Sequence, residues 1–195
     1  MKNLKILLAE DEFLCAIGIK NNLELLGHTV VDTATTGGEL IIAADKYKPD
    51  LIISDINMPK INGLEAIKKI NESYNIPSII TSSYNNDYID QSSKLNIFYY
   101  LIKPIQKDEL YAAIQIAMSR YKDSLDLRKE LFKVKENLKS KKIIDKAKII
   151  LVERNKLSEG EAFEKLQSMS KNKNKKLIKI AEEIIEANDL FLSLK

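Results

Sequence analysis

Over the first 120 residues, short apolar runs alternate with helix-length stretches in which apolar and polar positions are interleaved. The runs are Leu4–Ala9, Thr29–Thr33, Leu51–Ser54, Ser78–Ser82 and Ile97–Ile102. Short, nearly continuous apolar runs separated by amphipathic segments predict strands covered on both faces, hence a parallel sheet flanked by helices. Leu14, Ile17, Asn21 and Leu25 sit at helical spacing ahead of Gly27, which stops that helix, and Gly63 opens another just after the Met58-Pro59 turn. The links are short, as compact βα units require. The expected architecture for residues 1–120 is α/β, a (βα)5 doubly wound domain of flavodoxin-like form.

Beyond Pro104 the chain has neither proline nor glycine until Gly160, so one helix can run from about Asp108 past the first domain. Leu110, Ile114, Ala117 and Tyr121 keep a 3–4 spacing that suits packing on the sheet. Leu127, Leu131, Val134 and Leu138 then take the spacing up in a shifted phase, between lysine-rich flanks. With nothing nearby to cover that second stripe, residues 121–140 read as a dimeric coiled-coil linker. Residues 141–195 read as a three-helix module. Its first helix carries Ile143, Ala147, Ile150 and Leu151 and breaks near Asn155–Leu157. Ser158 and Glu161 form a capping box ahead of Ala162, Phe163, Leu166 and Met169. A lysine and asparagine turn leads to Leu177, Ile180, Ala181, Ile184 and Ile185 on one face.

In an open parallel α/β sheet, ligands bind at the carboxyl ends of the strands. Four of the five predicted strands end on chemistry-bearing residues: Glu10-Asp11, Asp55, Ser82 and Lys103. Three carboxylates at one edge repel one another and call for a cation. Mg²⁺ suits them, because it takes few carboxylates, keeps waters and bridges to phosphate oxygens. Asp55 is placed to accept a phosphoryl group through its carboxylate, chemistry in which positioning and charge neutralisation dominate. Lys103 supplies a cation for the phosphate or for resting Asp55, and Ser82 a hydroxyl that can donate to an acylphosphate. Tyr100, three residues before Lys103, is a large side chain able to move with Ser82 and pass the change to the last strand and the following helix.

These residues resemble bacterial two-component response-regulator receiver domains. The resemblance rests on Leu8-Ala9-Glu10-Asp11-Glu12, on Asp55-Ile56-Asn57-Met58-Pro59 with Gly63, on Pro77–Tyr84 and on Tyr100-Leu101-Ile102-Lys103-Pro104, within residues 3–120. It implies that Asp55 is the phosphoacceptor, charged by a sensor histidine kinase. It further implies that Asp11 and Asp55 ligate Mg²⁺, that Glu10 acts through water, and that Asn57 gives a backbone carbonyl to the metal. A cis bond at Lys103-Pro104 is also implied. Glu10 is commonly Asp in the family and Ser82 often Thr. Such a domain is no enzyme beyond its own phosphorylation and dephosphorylation.

Charge separates the two halves. Residues 1–120 carry 12 Lys/Arg and 15 Asp/Glu, whereas 121–195 carry 19 and 13, and six lysines with no acid lie from Lys165 to Lys179. A basic half can face a polyanion. The single Cys15 excludes an internal disulfide, and neither Cys15 nor the only histidine, His28, has partners at metal-ligand spacing, so both are expected to be structural or surface residues. No signal or membrane segment is evident, and the expected location is cytoplasmic, away from membranes.

The tail lacks a helix pair with the short turn that lays a recognition helix in duplex DNA. Ala147-Lys148, Leu151, Glu161-Ala162-Phe163, Leu166 and Ala181-Glu182 with Ile184-Ile185 instead resemble the ANTAR domain, an RNA-binding antitermination module that follows receivers. Ile149 stands where that family usually has glycine, and Gln167 where arginine is common. Ala147, Leu151, Ala162, Leu166 and Ala181 read as core. The RNA contacts are therefore assigned to polar neighbours: Lys148, Arg154, Lys165, Lys171, Asn172, Lys173, Lys175 and Lys176, with Asn172 and Asn174 able to read base edges. No Tyr or Trp lies among them, which favours shape recognition of a hairpin loop over base stacking. The coiled-coil stripe leads to the expectation of a homodimer whose paired modules hold RNA hairpins in a transcript leader, and the resemblance implies that such binding prevents a terminator from forming. The dimer is either promoted by phosphorylation or already formed at rest. A factor acting on duplex DNA and a protein-interaction output through Leu127–Leu138 remain alternatives.

Overall fold

The computed structural model describes residues 3–83 and 96–193. Two compact units divide the chain, Met1–Leu125 and Asp126–Lys195.

The first unit is built on five strands: β1 (Lys5–Ala9), β2 (Thr29–Ala34), β3 (Leu51–Asp55), β4 (Ser78–Ser82) and β5 (Ile97–Ile102). They are all parallel, in the order β2-β1-β3-β4-β5. That order places the topological switch between β1 and β3, at whose carboxyl ends an open α/β sheet binds ligands. The strands agree with the expected runs to within a residue or so at each end. The helix expected between β4 and β5, together with Tyr84 of the β4 motif, lies outside the described residues.

Alternation within the strands feeds two cores, one on each face of the sheet. Leu7, Ala9, Ile52 and Ile80 point to the side covered by α2 (Gly37–Tyr47) and α3 (Gly63–Ser73). Ile6, Leu8, Leu51, Ile53 and Ile79 point to the side covered by α1 (Phe13–Leu25) and the start of α4 (Lys107–Asn155), through Leu110, Ala113, Ile114 and Ala117. Thr36 and Asn62 cap α2 and α3 by accepting from Glu39 N (3.2 Å) and Glu65 N (2.8 Å). In α1 the stripe Leu14, Ile17, Asn21 and Leu25 is not the buried one. Ala16, Ile19 and Leu23 face the sheet, while Leu14 and Leu25 are each 76% exposed. This helix is apolar almost all round, so spacing alone does not select its phase; small Ala16 lets the helix approach the strands closely.

Tyr121, near the end of the receiver portion of α4, donates to Asn75 O (2.6 Å) and meets Phe98 edge to face at 5.8 Å. The helix then runs uninterrupted to Asn155. Lys156 adopts φ 52° beyond it, and Ser158 caps α5 (Glu159–Asn172) with both halves of the expected capping box present. Asn174 (φ 50°) lies in the turn before α6 (Leu177–Ser193). The second unit closes on Ala147, Leu151, Ala162, Leu166, Ile180 and Ala181, all buried. Ile149 points outward, 57% exposed, so a branched side chain in place of the family's usual glycine displaces no packing in this unit. No helix among the described residues is long and apolar enough to cross a membrane.

Candidate functional site: an acidic pocket at the carboxyl edge of the sheet

The ends of β1, β3 and β5 bring Glu10, Asp11, Asp55 and Lys103 together. One carboxylate oxygen from each of the three acids lies within 4.8 Å of the others. Glu10 and Asp55 are buried, Asp11 is exposed. Lys103 Nζ bridges the two buried acids, donating to Asp55 Oδ2 at 2.6 Å and to Glu10 Oε1 at 2.8 Å, with Glu10 Oε2 at 2.7 Å. Three acids against one lysine leave an excess of negative charge at this partly buried edge.

Titration follows from this burial. Desolvation pushes the Glu10 carboxyl above the usual carboxylate range, helped by the charge of Asp55, while Lys103 pulls the other way. Burial also acts to lower the Lys103 pKa, but its hydrogen bonds to Asp55 and Glu10 and their charges outweigh it, and the ammonium is held above its ordinary value.

Local backbone sets these positions. Lys103 N donates to Ser82 O (2.9 Å), which ties the end of β5 to the end of β4. Ser82 is half-buried there. Asn57, exposed in the loop after β3, donates its backbone N–H to Asp55 Oδ1 at a long 3.4 Å. Gly63 opens α3 against the end of β3: a Cβ at this position would lie 2.0 Å from Asp55 O and 2.6 Å from Ser54 Oγ. Only glycine permits that approach. The Lys103-Pro104 bond is cis, as the resemblance implies.

Two hydroxyls near the site find no hydrogen-bond partner among the described residues, those of Thr81 and Tyr100, although both oxygens are buried. Tyr100 packs with the α2/α3 core from β5. Thr81 was not singled out in the sequence, because only the strand register reveals that it stands opposite Asp55.

Mg²⁺ fits these donors. Besides the crowded carboxylates, Glu10 Oε2 is a buried oxygen that no aligned hydrogen bond satisfies among the described residues. Asp11 and Asp55 would hold the ion with Glu10 beside them, and the ion would supply neutralisation of phosphate charge.

The sequence-predicted contacts of the second unit form no comparable cluster. Arg154 Nε donates to Asn188 Oδ1 (2.6 Å), and its guanidinium stacks over Phe191 at 4.3 Å. Lys148 pairs with Asp145 (2.8 Å). Lys173 pairs with Glu183 (3.0 Å), and Lys175 contacts the other oxygen of that carboxylate. Lys165, Lys171, Asn172 and Lys176 are exposed, and the three lysines make no ion pair among the described residues.

A family model described as the response regulator receiver domain matches residues 6–115, and one described as the ANTAR domain matches residues 133–185. This chain belongs to the response regulators. It joins a receiver to an ANTAR output, and both parts are those of a non-enzymatic regulator. It is similar to the transcriptional regulatory protein PdtaR of Mycobacterium tuberculosis, 28% identical over 93% of this chain and 89% of that protein. Similarity to the transcriptional regulatory protein YdfI of Bacillus subtilis, 32% identical, spans 58% of this chain and 54% of that one. Among solved structures, the signal receiver domain of a modulated diguanylate cyclase from Desulfovibrio desulfuricans G20 superposes with a TM-score of 0.58. It is 28% identical and covers 63% of this chain and 99% of its own.

Proposed function

We propose that this response regulator is a cytoplasmic, phosphorylation-controlled RNA-binding antiterminator. The observation that carries the reading is the joint one: a receiver-type acidic pocket closed by Lys103, followed on one helix by the segment that matches the ANTAR family. A sensor histidine kinase presents its phosphohistidine to the pocket. An Asp55 oxygen attacks phosphorus, the P–N bond breaks, and the imidazole nitrogen keeps the electron pair and takes up a proton. Asp55 Oδ1 is the less engaged oxygen, since Lys103 holds Oδ2. Lys103 then moves its contact to the phosphate, Ser82 donates to it, and Tyr100 moves with Ser82, which alters the β5 face. The buried Tyr100 hydroxyl, without a hydrogen-bond partner among the described residues, supports a side chain free to move in this way.

The phosphate promotes pairing of two chains along Leu127, Leu131, Val134 and Leu138, which are exposed on α4. Two ANTAR modules then hold two hairpins of a transcript leader, and avidity raises a weak contact to a useful one. Lys165, Lys171, Asn172 and Lys176 provide the initial RNA contacts. Lys148, Arg154, Lys173 and Lys175 contribute as their internal partners exchange for phosphates.

The test is fluorescence-anisotropy binding to hairpin RNA and duplex DNA pools, with Mg²⁺ and acetyl phosphate, for the wild type and Asp55→Ala. Phosphate-dependent preference for RNA hairpins is expected, with a steep salt dependence. Preference for duplex DNA would overturn the reading in favour of a DNA-binding factor. Absence of nucleic-acid binding would leave a protein-interaction output.

A further inference from the structure

Two adjacent glycines open α2, and they answer to different constraints. Neither Gly37 nor Gly38 has a positive φ. A helix start of ordinary backbone conformation favours alanine over glycine, so glycine at either position needs another reason. Gly38 offers none: a Cβ built on it would meet nothing closer than Thr36 Oγ1 at 4.0 Å. A Cβ on Gly37 would lie 2.3 Å from Ile61 O and 2.9 Å from both Ile61 C and Ile61 Cβ. Gly37 N also donates to Ile61 O at 3.2 Å. The nearest neighbour is backbone, which cannot swing aside as the end of a flexible side chain would.

Ile61 belongs to the loop that leaves β3 after Asp55 and carries Asn57. Backbone hydrogen bonds frame this loop. Ile56 O accepts from Met58 N (3.1 Å) and from Gly63 N (3.0 Å), and Pro59 O accepts from Ile61 N (2.8 Å). Ile56 and Met58 are buried, so exposed Asn57 lies between two anchored neighbours. Gly63 closes the loop from the α3 side, against Asp55 O, and Gly37 closes it from the α2 side, against Ile61 O.

We propose that Gly37 is a positioning residue for Mg²⁺. By admitting Ile61 against the start of α2, it fixes the loop over residues 56–62 and with it the backbone of Asn57. The inference rests on the Mg²⁺ reading of the acidic pocket, in which Asn57 gives its carbonyl to the ion. A backbone ligand has no rotamer with which to re-aim itself, so a displaced loop carries its ligand along. Any side chain at position 37 must push Ile61 away, and in a close-packed region that displacement is passed on to its neighbours. Residues that orient metal ligands without touching the ion typically change affinity by about tenfold or more when altered.

The test uses Mn²⁺ as a stand-in for Mg²⁺. Its binding to the full metal-free chain is read from the electron paramagnetic resonance signal of the free ion and repeated with Mg²⁺ as competitor. Asp11→Asn is expected to remove binding at the pocket, which identifies that share of the signal. Gly37→Ala should weaken it about tenfold, whereas Gly38→Ala should stay within about twofold of the wild type. Ile61→Gly loosens the same contact from the loop side and is expected to weaken binding about fivefold, which keeps the test open if Gly37→Ala does not fold. Unchanged affinity in a folded Gly37→Ala, even with a lower unfolding temperature, would reduce Gly37 to a packing role and overturn the proposal. Unchanged affinity in Ile61→Gly would do the same. Equal weakening in Gly37→Ala and Gly38→Ala would also sink it, because the effect would then belong to the helix start and not to Ile61. A wild type with no binding that Asp11→Asn removes would overturn the Mg²⁺ reading itself, and the proposal with it.

Discussion

Lysine serves two different purposes in the two units. Lys103 in the receiver is almost buried and fixed by two carboxylates at once, from residues 48 and 93 positions away in the chain. The lysines of the ANTAR unit are exposed, apart from half-buried Lys148, and those with partners hold them singly. A buried ion cluster has one arrangement that satisfies it, so each member is irreplaceable. A solvated cluster has many, and exposed pairs contribute little individually. The receiver is therefore expected to respond sharply to single substitutions and the basic surface of the ANTAR unit gradually.

Asp55→Ala should abolish covalent labelling by acetyl phosphate, read as the loss of the phosphoryl mass increment in the intact protein. Retention of labelling at another carboxylate would break the claim that the pocket has one acceptor. Leu166→Ala, in the core of the small unit, is expected to cost about 3 kcal/mol by denaturant titration, for the lost burial and the cavity left behind. Unfolding of that unit with the receiver signal unchanged would also establish the two units as energetically separate.

Lys103→Ala strands two buried carboxylates and should destabilise the metal-free receiver by about 2 kcal/mol, with part of the loss recovered by Mg²⁺. No loss would mean that the pocket is wetter than its burial implies. Glu10→Gln acts in the opposite direction, raising metal-free stability by about 1 kcal/mol while weakening Mg²⁺ binding. The sign follows from the raised Glu10 pKa. The folded state holds this proton more tightly than the unfolded chain, so the stabilisation is complete below the unfolded value of 4.5 and is lost as pH rises through the folded pKa. Stability against pH in that window should flatten in Glu10→Gln.

The smallest effect is expected from Glu183→Gln. It releases Lys173 and Lys175, which hold the Glu183 carboxyl below its usual range, Lys175 more strongly than Lys173. RNA affinity at low salt should rise about two- to threefold, by one fewer competitor for phosphate contacts. A change larger than that of any receiver substitution would reverse the comparison.

Much of the site was legible because strand ends in a parallel sheet converge by topology. Once Leu4–Ala9, Leu51–Ser54, Ser78–Ser82 and Ile97–Ile102 are recognised as strands, Glu10, Asp11, Asp55, Ser82 and Lys103 share one edge. The helix breaks were legible for a local reason, since the capping box at Ser158 and the lysine and asparagine turn around Asn174 act over a few residues. The basic surface of the second unit was less so: the sequence marks Arg154 and Lys173 as basic, but not that Asn188 and Glu183 engage them.

By itself the sequence determined the order and class of the elements, the acidic pocket's membership, the uninterrupted α4 and the apolar stripe along it. Each depends on periodicity, on a turn residue or on a topology that admits few alternatives. The tertiary structure alone decided that Ala16, Ile19 and Leu23 face the sheet, that Lys103 spans both Glu10 and Asp55, and that Gly63 closes against Asp55 O. It likewise decided that Thr81 stands opposite Asp55 and that Glu183 holds two lysines. These outcomes turn on distances of a few ångströms between residues far apart in the chain, and close packing, not local preference, sets such distances.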